Sequence, residues 1–449
     1  MENKSMPLRL NVVSLLLCLV TFIATAAQER KTRDQLVKED RAALAQDDAW
    51  IYNDLPKGVE LARASGKPLL VVFRCIPCEA CAQLDASIVE RDARVRGLMQ
   101  QYVCVRIVHA NGLDLRQFQY DFDQSFAAFI MNADKTIYGR YGTRSDQIRS
   151  EDDVSLDGFA RILEAGLTLH RNYPANRSLF AGKQTRLAPP VAVPEEFVRL
   201  RKFSSQLDYE GKVAQSCIHC HQVGESYRNV LRDEAQPIPE TVLFPYPHPK
   251  ILGLIMDPHE LATVKQVVAG SPAAAAGLQA GDRLETLDGQ PMLSIADIQW
   301  VLQHAQDGDR LSLSFVRQGA TQAASLMLAP GWRRQGDISW RATSWELRRM
   351  VTGGMLLEDL PSEARGSHGI ADDSLALLVK HLGQYGEHAH AKEKGFMKDD
   401  ILVAVDGQTK RLRESDLFAE LVNRPLQSEV GFTVLRGEQR LELTLTMRK

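Results

Sequence analysis

The stretch that decides the fold is Lys67-Pro68-Leu69-Leu70-Val71-Val72-Phe73-Arg74-Cys75-Ile76-Pro77-Cys78-Glu79-Ala80-Cys81. Leu69 to Phe73 form a short, fully apolar run after a Gly66-Lys67-Pro68 turn, the pattern of a strand buried on both faces. A Cys-x-x-Cys pair follows the strand at once, and the helical spacing of Leu84, Ile88, Val89, Val95 and Leu98 continues it to about residue 100. Working outward, Val59–Ser65 reads as helix, Tyr102–Val108 as a second strand, Phe126–Met131 as a third and Lys135–Tyr141 as a fourth. Asn132-Ala133-Asp134 supplies the turn between the last two. Strand, helix, strand and hairpin make an α/β core.

The chain has 449 residues, 44% hydrophobic and 25% charged, which is globular composition with room for several domains. A net charge of −3 gives no basic footprint for nucleic acid. At the start, Lys4 and Arg9 precede a mostly apolar run from Leu10 to Thr25, and Ala24-Thr25-Ala26 is a small-x-small cleavage site. This predicts a signal peptide over 1–26, no spanning segment in the mature chain, and a periplasmic or secreted location. Cys18 follows Leu17 rather than a small residue, so no lipid anchor is read there.

The expected organisation is a charged helical segment at 27–49, the α/β domain at 50–173 and a Pro/Arg/Asn-rich linker at 174–195. A helical segment at 196–245, a β-rich module at 246–330, a Trp/Arg-rich connector at 331–349 and a second β-rich module at 350–449 follow. The two β-rich modules repeat one another: Gly395 to Leu402 echoes Gly277 to Leu284.

The strand followed by Cys78-Glu79-Ala80-Cys81 resembles the thioredoxin-like family. That resemblance implies Cys78 as the attacking thiol, activated at a helix N-terminus, and Cys81 as the resolving thiol. Two positions depart from the family. Phe126 stands where a cis-proline is usual, and Val72 where a buried acid is common. Cys75 adds a third thiol, so Cys75/Cys78/Cys81 reads as a redox dithiol, a structural disulfide or a clasp for a soft metal ion. Cys104, within an apolar strand, reads as a small core residue, with pairing to Cys75 as the alternative.

Cys217-Ile218-His219-Cys220-His221 is a full Cys-x-x-Cys-His and resembles the haem-attachment helix of c-type cytochromes. The resemblance implies covalent haem c on Cys217 and Cys220, with His221 as the proximal iron ligand. A zinc half-site or a disulfide is the competing reading. His248 is the candidate distal ligand.

Val267 to Leu284, with Gly270-Ser271-Pro272-Ala273-Ala274 and Gly277-Leu278-Gln279-Ala280-Gly281-Asp282, resembles a bacterial-type PDZ domain. The family binds C-terminal peptides by adding them to a strand edge, with loop N–H groups holding the carboxylate. By resemblance the peptide-binding residues are Leu252, Gly253, Leu254, Ile255 and Met256, beside a groove helix at Ser294–His304. The second module, with Gly353-Gly354-Met355-Leu356 as its loop, resembles the same fold less closely. The histidines His381, His388 and His390 read as solvated.

The fold class expected is thus multidomain: an α/β thioredoxin-like domain, a short helical haem c-type segment and two α+β PDZ-like modules. PDZ modules often accompany serine proteases, but no Gly-x-Ser-x-Gly or similar nucleophile loop is present. Two functions compete: a thiol–disulfide oxidoreductase that recruits exported peptide or protein clients, and a non-catalytic haem- and peptide-binding scaffold or sensor. A metal-handling protein using Cys75/Cys78/Cys81 is a third.

Overall fold

A computed structural model describes residues 31–76, 92–124, 126–146, 150–185 and 188–449. The expected signal peptide, Cys78 and Cys81 lie outside the described residues.

Helix α1 (Arg33–Leu44) is started by a capping box between Thr32 and Gln35. Helix α2 (Leu55–Ser65) opens on Asp54, whose carboxylate accepts the Lys57 amide, and closes on Gly66 at φ +67°, a left-handed cap that glycine adopts without strain. The first sheet holds β1 (Trp50–Tyr52), β2 (Leu69–Arg74), β3 (Val103–Ile107), β4 (Phe126–Met131) and β5 (Ile137–Tyr141). Its order is β1-β3-β2-β4-β5. The first three strands run parallel, while β4 and β5 run antiparallel to their neighbours. Every residue of β2 and β4 is buried, which explains why both read as continuous apolar runs.

Two cores flank this sheet. On one face, α3 (Ala93–Met99) and α4 (Leu156–Arg171) cover Leu70, Val72, Cys104 and Ile130. On the other, Val71, Phe73 and Phe129 pack with Phe118, Phe197, Ile218, Cys220 and Val223. The segment expected as a separate helical unit therefore completes the second core of the thioredoxin-like sheet. Its main helix is α5 (Cys220–Asp233). Residues of the expected linker are also built in: Phe180 and Lys183 are fully buried.

The first C-terminal module comprises β6 (Leu254–Met256), β7 (Val264–Val267), β8 (Arg283–Leu287), β9 (Gln290–Pro291), α6 (Ile295–His304), β10 (Arg310–Arg317) and β11 (Ala320–Met327). The second comprises β12 (Met355–Asp359), β13 (Leu377–Leu382), β14 (Ile401–Val405), α7 (Glu414–Leu421), β15 (Glu429–Arg436) and β16 (Gln439–Thr446). The repeat seen in the sequence holds in detail. Leu254, Ile255 and Met256 pair with Val267, Gln266 and Val264, and Met355, Leu356 and Leu357 pair with Leu382, His381 and Val379; both ladders shift register after the second pair. Arg317 grips Asp282 and the Gly277 carbonyl, as Arg436 grips Asp400 and the Gly395 carbonyl. His390, expected to be solvated, is 2% exposed.

Helix α6 is shared between domains. Its Asp297 pairs with Lys183 at 2.6 Å, both side chains fully buried, and accepts the Arg140 amide of β5. Trp300 donates to the Gly182 carbonyl, and the Arg140 guanidinium lies 3.7 Å from the Trp300 ring centroid.

Candidate thiol and haem site, and the peptide groove

Strand β2 ends at Arg74, which delivers Cys75 to the edge of the second core. The loop after β3 holds the Cys-x-x-Cys-His segment. Asn111 accepts the Ile218 amide at 2.7 Å through its side-chain oxygen and donates to the Ser204 and Ser216 carbonyls. The Ala110 amide donates to the Ile218 carbonyl at 2.8 Å. With Ile218 fully buried, the backbone around Cys217 and Cys220 has one position.

This anchoring brings Cys75 beside the Cys-x-x-Cys-His segment. Cys75 Sγ lies 3.5 Å from His219 Nδ1. Cys220 Sγ lies 3.0 Å from the Tyr120 hydroxyl. Cys217 donates to the Val213 carbonyl at 3.2 Å. No disulfide joins any two of the described cysteines. His219 caps α5, its amide donating to Gln222, and its ring stacks 5.8 Å from that of His221.

Burial governs the protonation of the site. It pushes the Cys217 thiol up to about 11, with Asp34 adding to it. Burial, with His221 and Arg33, depresses His219 to about 4, so its ring is neutral at pH 7. For His221 burial acts downward, but the Glu225 carboxylate 3.1 Å from Nδ1 outweighs it and the pKa rises. Burial, then Cys220, keeps the Tyr120 phenol protonated.

The donor set fits an iron porphyrin in its chemistry. Cys217, in extended backbone, precedes Cys220 at the helix start by three residues, and the adjacent His221 has Nδ1 held by a carboxylate, leaving Nε2 as the ligand atom. A cavity of about 430 Å³ lies beside α5, lined by Gly224, Tyr227 and Arg228 with Tyr120 and Tyr246; Cys217, Cys220 and His221 do not line it, but Tyr120 on its wall meets Cys220 Sγ. His248, the candidate distal ligand, is buried; its Nε2 lies 3.2 Å from Asp153 Oδ1 and its Nδ1 accepts the Lys250 amide at 3.3 Å.

Cys104 is the small core residue expected: it is 2% exposed, donates weakly to the Met99 carbonyl, and burial pushes its thiol up to about 12. At the first module, Leu252 is buried, Gly253 turns at φ +77°, and Leu254 to Met256 form β6, paired on one side with β7. A Cβ at Gly253 would stand 2.2 Å from the Ser271 side chain, so glycine is required on two counts. Tyr120, Asn111 and Glu225 were not singled out from sequence. Glu225 alone had a signal there, at four residues beyond His221.

Family models match residues 50–133 as thioredoxin-like and residues 263–317 as a PDZ domain. The chain contains both domains. Among curated proteins, a probable periplasmic serine endoprotease DegP-like of Pseudomonas putida (strain GB-1) is 30% identical over 187 residues, 42% of this chain and 34% of that one. A second of the same description, from P. putida (strain ATCC 700007 / DSM 6899 / JCM 31910 / BCRC 17059 / LMG 24140 / F1), is 38% identical over 191 residues, again 42% and 34%. The periplasmic pH-dependent serine endoprotease DegQ of Escherichia coli (strain K12) is 24% identical over 151 residues, 34% of this chain and 29% of that one. The chain thus spans about a third of the length of these relatives. Among solved structures, GtR34C from Geobacillus thermodenitrificans is 35% identical over 17% of this chain and 85% of its own, at a TM-score of 0.15. The HtrA-type protease AlgW with decapeptide is 15% identical over 31% of this chain and 42% of its own, at 0.20. Scores this low carry no argument. No helix among the described residues is long and apolar enough to cross a membrane, and the curated relatives are named as periplasmic, which fits a periplasmic location.

Proposed function

We propose that the chain is a periplasmic thiol–disulfide oxidoreductase-like protein that carries haem c on Cys217 and Cys220, with His221 as proximal ligand. Its PDZ domain recruits exported clients by their C-terminal peptides. The observation that supports the reading is the contact of Cys75, the first thiol of the run, with His219 of the Cys-x-x-Cys-His motif. Cys78 attacks a client disulfide, forming a mixed disulfide and releasing one client thiol. Cys81 then displaces the second client thiol and closes the Cys78–Cys81 disulfide, so two electrons and two protons pass to the client. Haem held by Cys217, Cys220 and His221 would supply a one-electron carrier. Glu225 orients the His221 ring, Tyr120 donates to or accepts from Cys220, and the burial of His219 keeps a neutral ring beside Cys75.

Val72 and Phe126 support a second reading, a non-catalytic scaffold or sensor. Both are buried and apolar where thioredoxin chemistry commonly uses an acid and a cis-proline. For the third, metal handling, no group of three or more His, Cys, Asp or Glu side chains is placed to hold a metal among the described residues.

Insulin reduction by the full chain, compared with Cys78→Ser, separates the first two: activity lost in the variant supports the oxidoreductase, and an inactive wild type rejects it. Protein produced with a cytochrome c maturation system should show a Soret band that resists acid–acetone extraction. A colourless product rejects the haem assignment.

A further inference from the structure

The matched registers of the two C-terminal modules allow their peptide edges to be compared atom by atom. Gly253 accepts the Val268 amide at 2.9 Å, and Gly354 accepts the Gly383 amide at 2.9 Å. With the strand ladders this aligns Leu254 with Met355, Ile255 with Leu356 and Met256 with Leu357. In a strand, backbone groups of alternate residues face the same side. The carbonyl of Met355 and the amide of Leu357 are therefore the pair that an added peptide strand would engage.

Both are already engaged by the protein's own side chains. The Thr352 hydroxyl donates to the Met355 carbonyl at 2.8 Å. The Leu357 amide donates to Glu414 Oε1, also at 2.8 Å. Glu414 opens α7, the helix that corresponds to the groove helix α6. Arg348 holds its carboxylate by two bonds of 2.9 and 2.6 Å, and both side chains are 2% exposed. At the matching positions the first module has Ile251, one residue before Leu252, and Ile295, the first residue of α6. Neither isoleucine can make such a bond.

We propose that the second module is sealed against peptide by Thr352 and the Arg348–Glu414 pair, so that the chain takes one extended C-terminal peptide, at β6 of the first module. This rests on the peptide-recruiting reading of the PDZ domain. An incoming strand at β12 would have to displace a buried, paired carboxylate, and it would leave that charge without its amide partner. Beside β6 the two matching positions are Ile251 and Ile295, which hold no such charge.

The test uses the full chain and a fluorescein-labelled decapeptide with three apolar residues at its free carboxyl end. Anisotropy titration should give one site per chain. Ile255→Glu, at a half-buried position of β6, should weaken binding by about tenfold or more. Leu356→Glu, at the matching half-buried position of β12, should leave both affinity and stoichiometry unchanged. Two sites per chain, or a site lost with Leu356→Glu, overturns the proposal. Hydrogen exchange of the peptide-free protein tests the seal separately. The Leu357 amide should be protected, and the paired replacement Arg348→Met with Glu414→Leu should speed its exchange at least about tenfold. A fast Leu357 amide in the wild type overturns the seal even if no peptide binds. A protected Leu357 amide with no binding at all instead rejects the peptide-recruiting reading.

Discussion

The two C-terminal modules share strand order, register shift and the arginine–aspartate clamp, yet they meet the rest of the molecule in opposite ways. The first turns its groove helix α6 toward the thioredoxin-like sheet through Asp297, Trp300 and Ser294. The second turns a buried ion pair inward, closing its own strand edge. The difference lies in a few side chains rather than in the sheet: Ile295 stands where Glu414 does and Ile251 where Thr352 does, and under the proposed seal those two exchanges decide which backbone edge is free to take a peptide.

The largest effect should come from breaking the seal on one side only. Arg348→Ala leaves Glu414 buried without its cation, and removing one partner of such a pair typically costs about 3–5 kcal/mol. Urea unfolding followed by hydrogen exchange across β12 to β16 should show the second module opening first. An equal loss across β6 to β11 would break the distinction between the modules.

Next in size is the joint between the first module and the α/β domain. Lys183→Ala removes the cation from Asp297, with both groups fully buried. A loss of about 3 kcal/mol is expected, tempered because the Arg140 and Leu293 amides still donate to Asp297. The sharper outcome is cooperativity: in the wild type β5 and α6 should open together in exchange experiments, and in Lys183→Ala they should separate. Unchanged coupling would mean that the remaining contacts across the joint, among them Trp300 with Gly182, Ser294 with Arg140 and Thr143 with Gln299, carry it without the ion pair.

These contacts also show what the sequence could and could not reveal. Four strands of the core were legible because β2, β3 and β4 are short apolar runs bounded by Gly66-Lys67-Pro68 and Asn132-Ala133-Asp134, and burial on both faces leaves an unbroken pattern, whereas the three-residue edge strand β1 was too short to show. The repeat was legible through Gly277 to Leu284 and Gly395 to Leu402, whose aspartates sit under the same arginine clamp. Long-range polar contacts left no such trace. Nothing near Asn111 marks it as the anchor of Ile218, 107 residues away, and nothing near Tyr120 points to Cys220. Lys183 sits in a Pro/Arg/Asn-rich stretch that reads as linker because its partner, Asp297, lies 114 residues downstream. The place of His248 was equally hidden: its neighbour Asp153, 3.2 Å from Nε2, lies 95 residues upstream.

The smallest effect tests the duplication itself. Arg317 and Arg436 each bridge a fully buried aspartate and a loop carbonyl, and each aspartate keeps one loop amide, from Gln279 at 2.8 Å or Met397 at 2.9 Å. Both arginines are partly exposed, 23% and 33%, so solvent screens the pair and the surviving amide keeps the carboxylate satisfied. Arg317→Ala and Arg436→Ala should each give a small loss of stability, confined to its own module in hydrogen exchange. Arg317 also lies 5.0 Å from the Phe315 ring, where β15 has Val434 at the matching position. The first module should therefore lose slightly more. If Arg436→Ala proved much the costlier, the clamp in the second module would be supporting the sealed edge as well as its own loop, and the two modules would differ in more than the residues beside their grooves.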